Sequence, residues 1–386
     1  MKIGVGLKLK ILLCTTSLIK AGTQRVVSNL ANYLSNKHEI IIMTCTNCQI
    51  EYKLNDSIRI IKLDSKKENA YRSKNKFYKY VVKPIRVIRR TIKMRKEIEH
   101  IEPDIIVSFL PEPSFLVLIN KRFNKKKVIV SVRNDPTIEY KSKIYNWAMR
   151  KLYPKANGFV FMTKEGKYYF KDIINCKTKI IPNAVNKDFI DNRYTGKRKK
   201  EIVSVGRLTK QKNFECLIKA FSKLDSEFNE YKLIIYGEGE ERKKLENLIE
   251  NLNLQDRVFL PGIEQNIKSK IYNASIFALP SIYEGISNAL IEALALGVPT
   301  IATDSSGGGS RSLIEDNVNG RLIEVNNIEV LKQAMEEMLL NPEKSEKIGI
   351  EASKISRKLA PEVIYKKWED FIEEIGEQDE FENNII

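Results

Sequence analysis

Two glutamates eight residues apart, Glu284 and Glu292, stand in the segment Ser281-Ile-Tyr-Glu-Gly-Ile-Ser-Asn-Ala-Leu-Ile-Glu-Ala-Leu-Ala-Leu-Gly-Val-Pro299. The pattern reads as a strand ending near Leu279, a turn holding Glu284 and Gly285, and a helix over 286–296. A helix start offers unsatisfied backbone N–H groups and the positive end of a dipole, and together these cradle a diphosphate. Glu284 in the turn reaches a ligand seated there. Glu292, one turn beyond Asn288, reaches a neighbouring part of the same extended ligand. Bare spacing does not separate this from two ordinary glutamates, one solvated and one helical. Gly206-Arg207 closes another apolar run, with Lys212 five residues on. An isolated Arg207 would read as a surface salt bridge. With Lys212 beside it at a strand end, it reads as a place for negative charge.

The elements that must position these residues alternate. Short apolar runs at Ile11–Thr15, Ile40–Thr44, Ile105–Phe109, Val128–Val132, Phe159–Met162 and Lys179–Ile181 predict strands. Between the first two, Val26, Val27, Leu30, Ala31 and Leu34 recur at helical spacing. Strand and helix in alternation predict a parallel sheet covered on both faces. Arg193–Glu201, with five basic residues in nine, reads as a linker. The alternation then restarts with strands at Ile202–Val205, Lys232–Tyr236, Val258–Leu260, Ile276–Leu279 and Thr300–Thr303, and helices such as Phe214–Leu224 and Arg242–Leu252. The fold class is therefore α/β, as two doubly wound Rossmann-like domains, 1–195 and 196–360, facing across a cleft. Such sheets bind ligands at the carboxyl ends of their strands.

The Glu284–Glu292 segment resembles the E-x7-E signature of the retaining glycosyltransferases of family 4, which have the GT-B fold. The opening Ile202-Val-Ser-Val-Gly206-Arg207 with Lys212-Asn213, the strand-turn Lys232-Leu-Ile-Ile-Tyr-Gly237-Glu-Gly239, Phe259-Leu-Pro-Gly262 and Ile181-Pro-Asn183-Ala are also similar to that family. The resemblance spans roughly Lys10 to Lys367 and is densest from Glu201 to Ile323. It implies that Arg207 and Lys212 neutralise a nucleotide-sugar diphosphate, that Glu284 contacts the donor sugar and that Glu292 holds the ribose hydroxyls. It further implies that Asn288 and the backbone N–H groups of Ala289 and Leu290 hold phosphate oxygens, with Gly206 at the strand end and Gly262 and Ile263 against the base. The last helices, about 361–386, look like the family's return to the first domain.

In the first domain the family has a Gly-Gly loop after the first strand, and here Ala21-Gly22-Thr23 stands in its place. Gly22 still permits close backbone approach, and Thr23 is expected as the N-cap of the helix that follows. Many relatives place a histidine where this chain reads Ser131-Val-Arg133-Asn134-Asp135-Pro136, so a mechanism through that imidazole fails. Arg133, Asn134 and Asp135 become candidates for acceptor or donor-sugar contacts, while Asp135 equally suits a helix cap before Pro136. Asp-x-Asp is absent, so the cations replace a metal and no cofactor is expected. No complete G-x-G-x-x-G occurs: Gly4-Val-Gly6 and Gly237-Glu-Gly239 both lack the third glycine, which disfavours a dinucleotide-dependent dehydrogenase. Gly307-Gly308-Gly309-Ser310-Arg311 lacks a Walker ending and reads as a turn opening a short helix.

The 386 residues carry 66 Lys and Arg against 49 Asp and Glu, a net charge of +17. Thirteen basic and three acidic residues lie between Lys66 and His100. A basic surface attracts phosphates of nucleic acid, lipid or nucleotide alike. Val81, Ile85, Ile88 and Ile92 recur at helical spacing there, with Lys79, Lys83, Arg86, Arg90 and Lys93 on other faces. Either the apolar stripe packs on the sheet and the cations are merely solvated, or the helix lies on an anionic membrane. The second is favoured, because many such enzymes act on lipid-linked sugars. No apolar run is long enough for a signal sequence or a membrane span, so the chain is expected in the cytoplasm, peripheral on the inner face of the membrane. Cys45-Thr-Asn-Cys48 has no second CxxC and reads as two small residues at a strand end rather than a zinc or redox site. The favoured function is transfer of a hexose or N-acetylhexosamine from a nucleotide-sugar, a UDP-sugar by preference, to a polyprenyl-diphosphate-linked glycan. The competing readings are a nucleotide-sugar epimerase or phosphorylase of the same fold and a basic nucleic-acid-binding protein. Against the last, no recognition motif interleaves aromatic with basic residues, so nucleic acid is not an expected partner.

Overall fold

The computed structural model describes residues 8–64, 83–124, 126–190 and 193–377. They divide into two compact units, with boundaries between Ile181 and Pro182 and between Ile364 and Tyr365. The first unit holds β1 (Lys10–Thr15), β2 (Glu39–Thr44), β3 (Arg59–Lys62), β4 (Ile105–Phe109), β5 (Lys127–Val132), β6 (Gly158–Phe161) and β7 (Lys177–Ile180). These form one parallel sheet in the order β3-β2-β1-β4-β5-β6-β7. The second unit holds β8 (Lys199–Val205), β9 (Lys232–Tyr236), β10 (Val258–Gly262), β11 (Ala274–Leu279), β12 (Thr300–Thr303) and β13 (Arg321–Ile323). Their order is β10-β9-β8-β11-β12-β13, again parallel. Sequence order reverses between β1 and β4 in one sheet and between β8 and β11 in the other. Near-continuous apolar runs such as Ile11–Cys14 and Ile40–Met43 are buried on both faces, as a sheet with helices on each side requires.

The expected strands are all present, with ends shifted by a residue or more. Two strands had no counterpart in the sequence reading: β3, of four residues, and β13, of three, each at a sheet edge. The segment expected as a linker is structured. Lys199–Glu201 already belong to β8, and Arg193 and Arg198 both bind the Glu346 carboxylate, at 2.7 and 3.0 Å. The glycine-rich run at 307–309 makes turns but opens no helix. Thr23 is not an N-cap either. The helix Gly22–Leu34 begins one residue earlier, with Ala21 in the cap position and no side-chain cap.

On the helix Lys83–Ile101 the stripe of Ile85, Ile88 and Ile92 does not pack on the sheet, and a different apolar face, unremarked in the sequence reading, turns inward. Met94, Ile98 and Ile101 join the first unit's core with Val87 against them, whereas Ile85, Ile88 and Ile92 are 45%, 59% and 54% exposed. Arg90 is buried rather than solvated: its Nε donates to Asp64 Oδ1 at 3.0 Å, and it also binds Glu112. Val81, Lys79 and residues 66–82 generally lie outside the described residues. No helix among the described residues is long and apolar enough to cross a membrane.

After β5, Asp135 caps the helix Pro136–Glu139, its carboxylate accepting from the Thr137 N–H at 2.9 Å and hydroxyl at 2.7 Å. Glu139 accepts from Asn134 Nδ2 at 2.9 Å, but burial dominates and pushes its carboxyl up to about 7 from the usual 4.5. The helix Pro361–Gly376 completes the first unit. Trp368 lies against Phe109 with ring centres 5.6 Å apart, and Phe371 and Ile375 cover Gly158 so closely that a Cβ there would meet both at 3.1 Å.

A Cβ on Gly309 would fall 1.5 Å from the Gly285 carbonyl oxygen, so Gly309→Ala should lower thermal stability by roughly 1–3 kcal/mol, read as a fall in Tm; an unchanged Tm would mean the turn yields freely. Because the Glu139 carboxyl is raised in the fold, its stabilising contribution is present below the ordinary carboxylate value and is lost as pH rises through about 7. Glu139→Gln should therefore match wild type in Tm near pH 4.5 relative to its offset at higher pH, and gain on it progressively to about pH 8. A Tm difference flat across that range would refute the shift.

Candidate active site

The carboxyl edge of the second sheet is built from glycine. Gly206, Gly237 and Gly262 end or follow β8, β9 and β10, joined by Gly206 N–H to Tyr236 O at 3.0 Å and Gly237 N–H to Gly262 O at 2.8 Å. Gly237 has φ +139°, and a Cβ there would sit 1.9 Å from the Gly206 carbonyl oxygen. Gly239 is as confined, 2.3 Å from the Leu208 carbonyl oxygen. The incomplete glycine motif thus serves close backbone packing between neighbouring strand ends. At Gly206 the missing side chain leaves room for the Lys212 stem, whose carbons would lie 3.1–3.3 Å from a Cβ.

At the point where strand order reverses, the loops after β8 and β11 meet. Lys212 Nζ binds Glu284 Oε1, both side chains largely buried, and Ser281 Oγ donates to the same carboxylate oxygen at 3.0 Å. Gln211 fastens the loops twice, its Nε2 donating to Tyr283 O at 2.9 Å and its backbone carbonyl accepting from the Ile282 N–H at 2.8 Å. Thr303, at the end of β12, donates its hydroxyl to Ser281 O at 2.5 Å. Arg207 is exposed and makes no ion pair or side-chain hydrogen bond among the described residues, so the surface salt-bridge reading of it does not hold.

The helix after this loop runs Asn288–Ala295, with Ser287 as N-cap but without a side-chain cap bond. The N–H groups of Asn288, Ala289 and Leu290 reach no acceptor among the described residues, while Ile291 N–H bonds Ser287 O at 3.2 Å. Asn288 Oδ1 accepts from Asn183 Nδ2 at 2.9 Å, and the same nitrogen bonds Ile286 O at 3.0 Å. Glu292, one turn on, is buried. At the far edge Gly262 takes φ +91° and Ile263 is exposed. Thus Gly206, Lys212, Glu284, Asn288, Ala289, Leu290 and Glu292 gather around one switch point, with Arg207 on its rim and Gly262 and Ile263 two strands away. Sequence reasoning missed Gln211, Ser281 and the bridging role of Asn183. The Ser281-x-x-Glu284 spacing was the signal for one of them.

In the first unit the loop after β1 is tied down by the chain itself. The Ala21 N–H donates to the Tyr52 hydroxyl at 2.9 Å, that hydroxyl donates back to Ala21 O at 2.9 Å, and the Lys20 N–H bonds Glu51 Oε2 at 2.5 Å. The N–H groups of Gly22 and Thr23 keep no protein acceptor among the described residues. Arg133 is buried at the end of β5, where burial pulls its guanidinium down to about 10; Asn134 beside it is exposed. Asp135 is occupied as a helix cap and Arg133 is buried, which leaves Asn134 as the exposed member of that trio.

Two clusters with metal-ligand residue types are explained otherwise. Cys45 is buried and its thiol is pushed well above the usual value by burial, the opposite of a thiolate ligand. His38, Glu369 and Glu373 converge, but His38 Nδ1 accepts from the Leu9 N–H at 3.2 Å. Its neutral ring therefore carries the proton on Nε2, which lies 3.5 Å from Glu369 Oε1 without hydrogen-bonding it. Lys37 Nζ binds Glu373 Oε1 at 2.6 Å. The cluster clasps the helix Pro361–Gly376 onto the first unit.

Residues 186–355 match the family model for glycosyl transferases group 1, and residues 21–189 match that for Glycosyltransferase Family 4. A Campylobacter jejuni protein named N-acetylgalactosamine-N,N'-diacetylbacillosaminyl-diphospho-undecaprenol 4-alpha-N-acetylgalactosaminyltransferase is 30% identical over 339 residues, covering 84% of this chain and 88% of that one. An uncharacterized glycosyltransferase of Methanocaldococcus jannaschii is 34% identical over 250 residues, 58% of this chain and 61% of the archaeal protein. Among solved structures, sucrose-phosphate synthase from Thermosynechococcus elongatus superposes with a TM-score of 0.80 at 17% identity, over 94% of this chain and 98% of that chain. Anabaena HepE in complex with UDP gives 0.75 at 15%, over 94% and 99%. With two Rossmann-like units of GT-B type and these matches along its length, the chain belongs to the group 1 glycosyltransferases of family 4.

Proposed function

We propose that the chain is a retaining, metal-independent hexosyltransferase. It moves a hexose or N-acetylhexosamine from a UDP-sugar to a hydroxyl of a polyprenyl-diphosphate-linked glycan, in the synthesis of a cell-surface polysaccharide such as a capsule or O-antigen. The observation that carries this is the Lys212–Glu284 pair at the switch point, with the unpaired Arg207 and three unused helix N–H groups around it. Arg207, Lys212 and the N–H groups of Asn288, Ala289 and Leu290 screen the diphosphate as negative charge builds on the leaving group. Glu284 accepts from hydroxyls of the donor sugar, and Glu292 from the ribose. In a front-face displacement the bond from the anomeric carbon to the diphosphate oxygen breaks as the acceptor oxygen bonds on the same face. The acceptor proton passes to that leaving oxygen, so no side-chain nucleophile is required.

The names of relatives support the substrate classes. Two Campylobacter jejuni relatives are named as N-acetylgalactosaminyltransferases acting on undecaprenol-linked diphosphate glycans, one of Erwinia amylovora as an amylovoran biosynthesis glycosyltransferase, and Staphylococcus aureus TarM has been solved with UDP. A lipid-linked acceptor requires work at a membrane surface, taken here as the inner face of the cytoplasmic membrane. The exposed Ile85, Ile88 and Ile92, interleaved with the exposed cations Arg89 and Lys96, suit an anionic leaflet.

Nucleotide release from a panel of UDP- and GDP-sugars, with EDTA present, should single out one donor. Glu284→Ala and Lys212→Ala should each slow that release by roughly 10²–10³-fold. Release that needs an added divalent metal, or that survives both substitutions, overturns the site assignment; isomerised sugar without transfer would make the protein an epimerase. The anomeric configuration of the product, read by NMR, should equal that of the donor, and inversion would refute the retaining mechanism.

A further inference from the structure

The helix Lys143–Leu152 has two apolar faces, of which the fold uses one. Met149 is buried in the first unit's core, and Tyr145 and Leu152 pack against it, Tyr145 edge-on to Phe115 with ring centres 5.6 Å apart. On the opposite side Ile144 is 77% and Trp147 65% exposed. At 100° per residue, Lys143, Ile144, Trp147, Arg150 and Lys151 share an arc about 120° wide. The helix contains no acidic residue. Arg150 bonds only Asn146 Oδ1, at 3.0 Å, and neither Lys143 nor Lys151 has a carboxylate partner among the described residues. Two large apolar side chains within one turn, ringed by three unneutralised cations, are thus held in water.

From this arrangement we infer that the outer face of Lys143–Leu152 docks on an anionic bilayer, as a second contact beside the outer stripe of Lys83–Ile101. The inference deepens the membrane reading above and rests on it. The charge pattern selects lipid over a protein partner: lysine is depleted at protein interfaces, whereas tryptophan flanked by cations fits the headgroup layer. Placement agrees. A helix joining two parallel strands of one sheet runs back against the strand direction, so Lys143–Leu152, between β5 and β6, starts at the carboxyl edge of the sheet. Lys83–Ile101, between β3 and β4, starts at the same edge, and both helices pack against Pro111–Asn124 on one face of the sheet. Ile85, Ile88, Ile144 and Trp147 therefore lie toward the edge that carries Arg133 and Asn134. A bilayer seated there brings the sugar end of a membrane-anchored acceptor to the side of the first unit where those residues stand.

The protein carries its own probe. It has two tryptophans; Trp368 is fully buried and Trp147 is not, so a change in emission on adding vesicles reports Trp147. Vesicles of phosphatidylcholine with phosphatidylglycerol should shift the emission of the full-length protein to the blue, brominated lipid should quench it, and Trp147→Phe should abolish both signals. Salt should weaken the binding. Ile144→Ser with Trp147→Ser should lower the lipid partition coefficient, measured by co-sedimentation, roughly tenfold or more. Co-sedimentation without a blue shift or quenching would overturn this helix as a lipid contact and leave Lys83–Ile101 as the membrane face. Equal binding to vesicles of phosphatidylcholine alone would overturn the role of its cations. No co-sedimentation at all would overturn both membrane statements. The transferase reading fails or stands separately, on nucleotide release by the wild-type protein without vesicles.

Discussion

Lys212 and Glu284 come from different loops, and their contact fixes where both loops lie. The pair is largely buried, so its net contribution to stability is small: the attraction is offset by the loss of hydration on both charges. Its value is positional. With Gln211 bonded across to Ile282 and Tyr283, and Ser281 to the same carboxylate, the pair holds a cation and a carboxylate side by side at the reversal of strand order. Each retains unused capacity, the ammonium for another acceptor and the carboxylate through its second oxygen. The glycine floor beneath has the same purpose in negative form. Gly206 leaves a channel for the Lys212 stem, and Gly237 and Gly309 admit backbone oxygens where any side chain would intrude.

The parts legible in the sequence were those with local signals. Uninterrupted apolar runs marked every central strand, since burial on two faces removes the polar alternation of an exposed sheet. The edge strands β3 and β13 escaped because three or four residues carry too little pattern, and each begins on an arginine. Helix faces were harder. On Lys83–Ile101 two apolar stripes coexist, and spacing alone does not say which of Ile85-Ile88-Ile92 and Met94-Ile98-Ile101 turns inward. The answer depended on Asp64 and Glu112, distant in sequence, which bury Arg90 on the core side.

The candidate site was legible in its residue types but not in its connections. Nothing in the spacing of Arg207, Lys212 and Glu284 says that the lysine binds the glutamate while the arginine stays unpaired. Thr23 failed as a cap because the helix starts at Gly22, a shift of one residue that local propensity does not resolve. Asp135 proved a cap because a carboxylate before proline and threonine is placed to accept both groups of Thr137, whatever else the neighbouring Arg133 and Asn134 do. Long-range hydrogen bonds such as Asn183 to Asn288 are set by the sheet's topology, which single-sequence periodicity does not encode.

The helix Pro361–Gly376 gives the two units different histories during synthesis. The second unit is continuous in sequence, so all its strands are made before the helix Pro361–Gly376. The first unit begins earlier yet stays incomplete, because Trp368, Phe371 and Ile375 close its core against Phe109 and Gly158. Domains generally fold in the order in which they are made. Here the earlier portion must wait with an open apolar groove until Pro361–Gly376 arrives, and the later portion can reach its native packing before it.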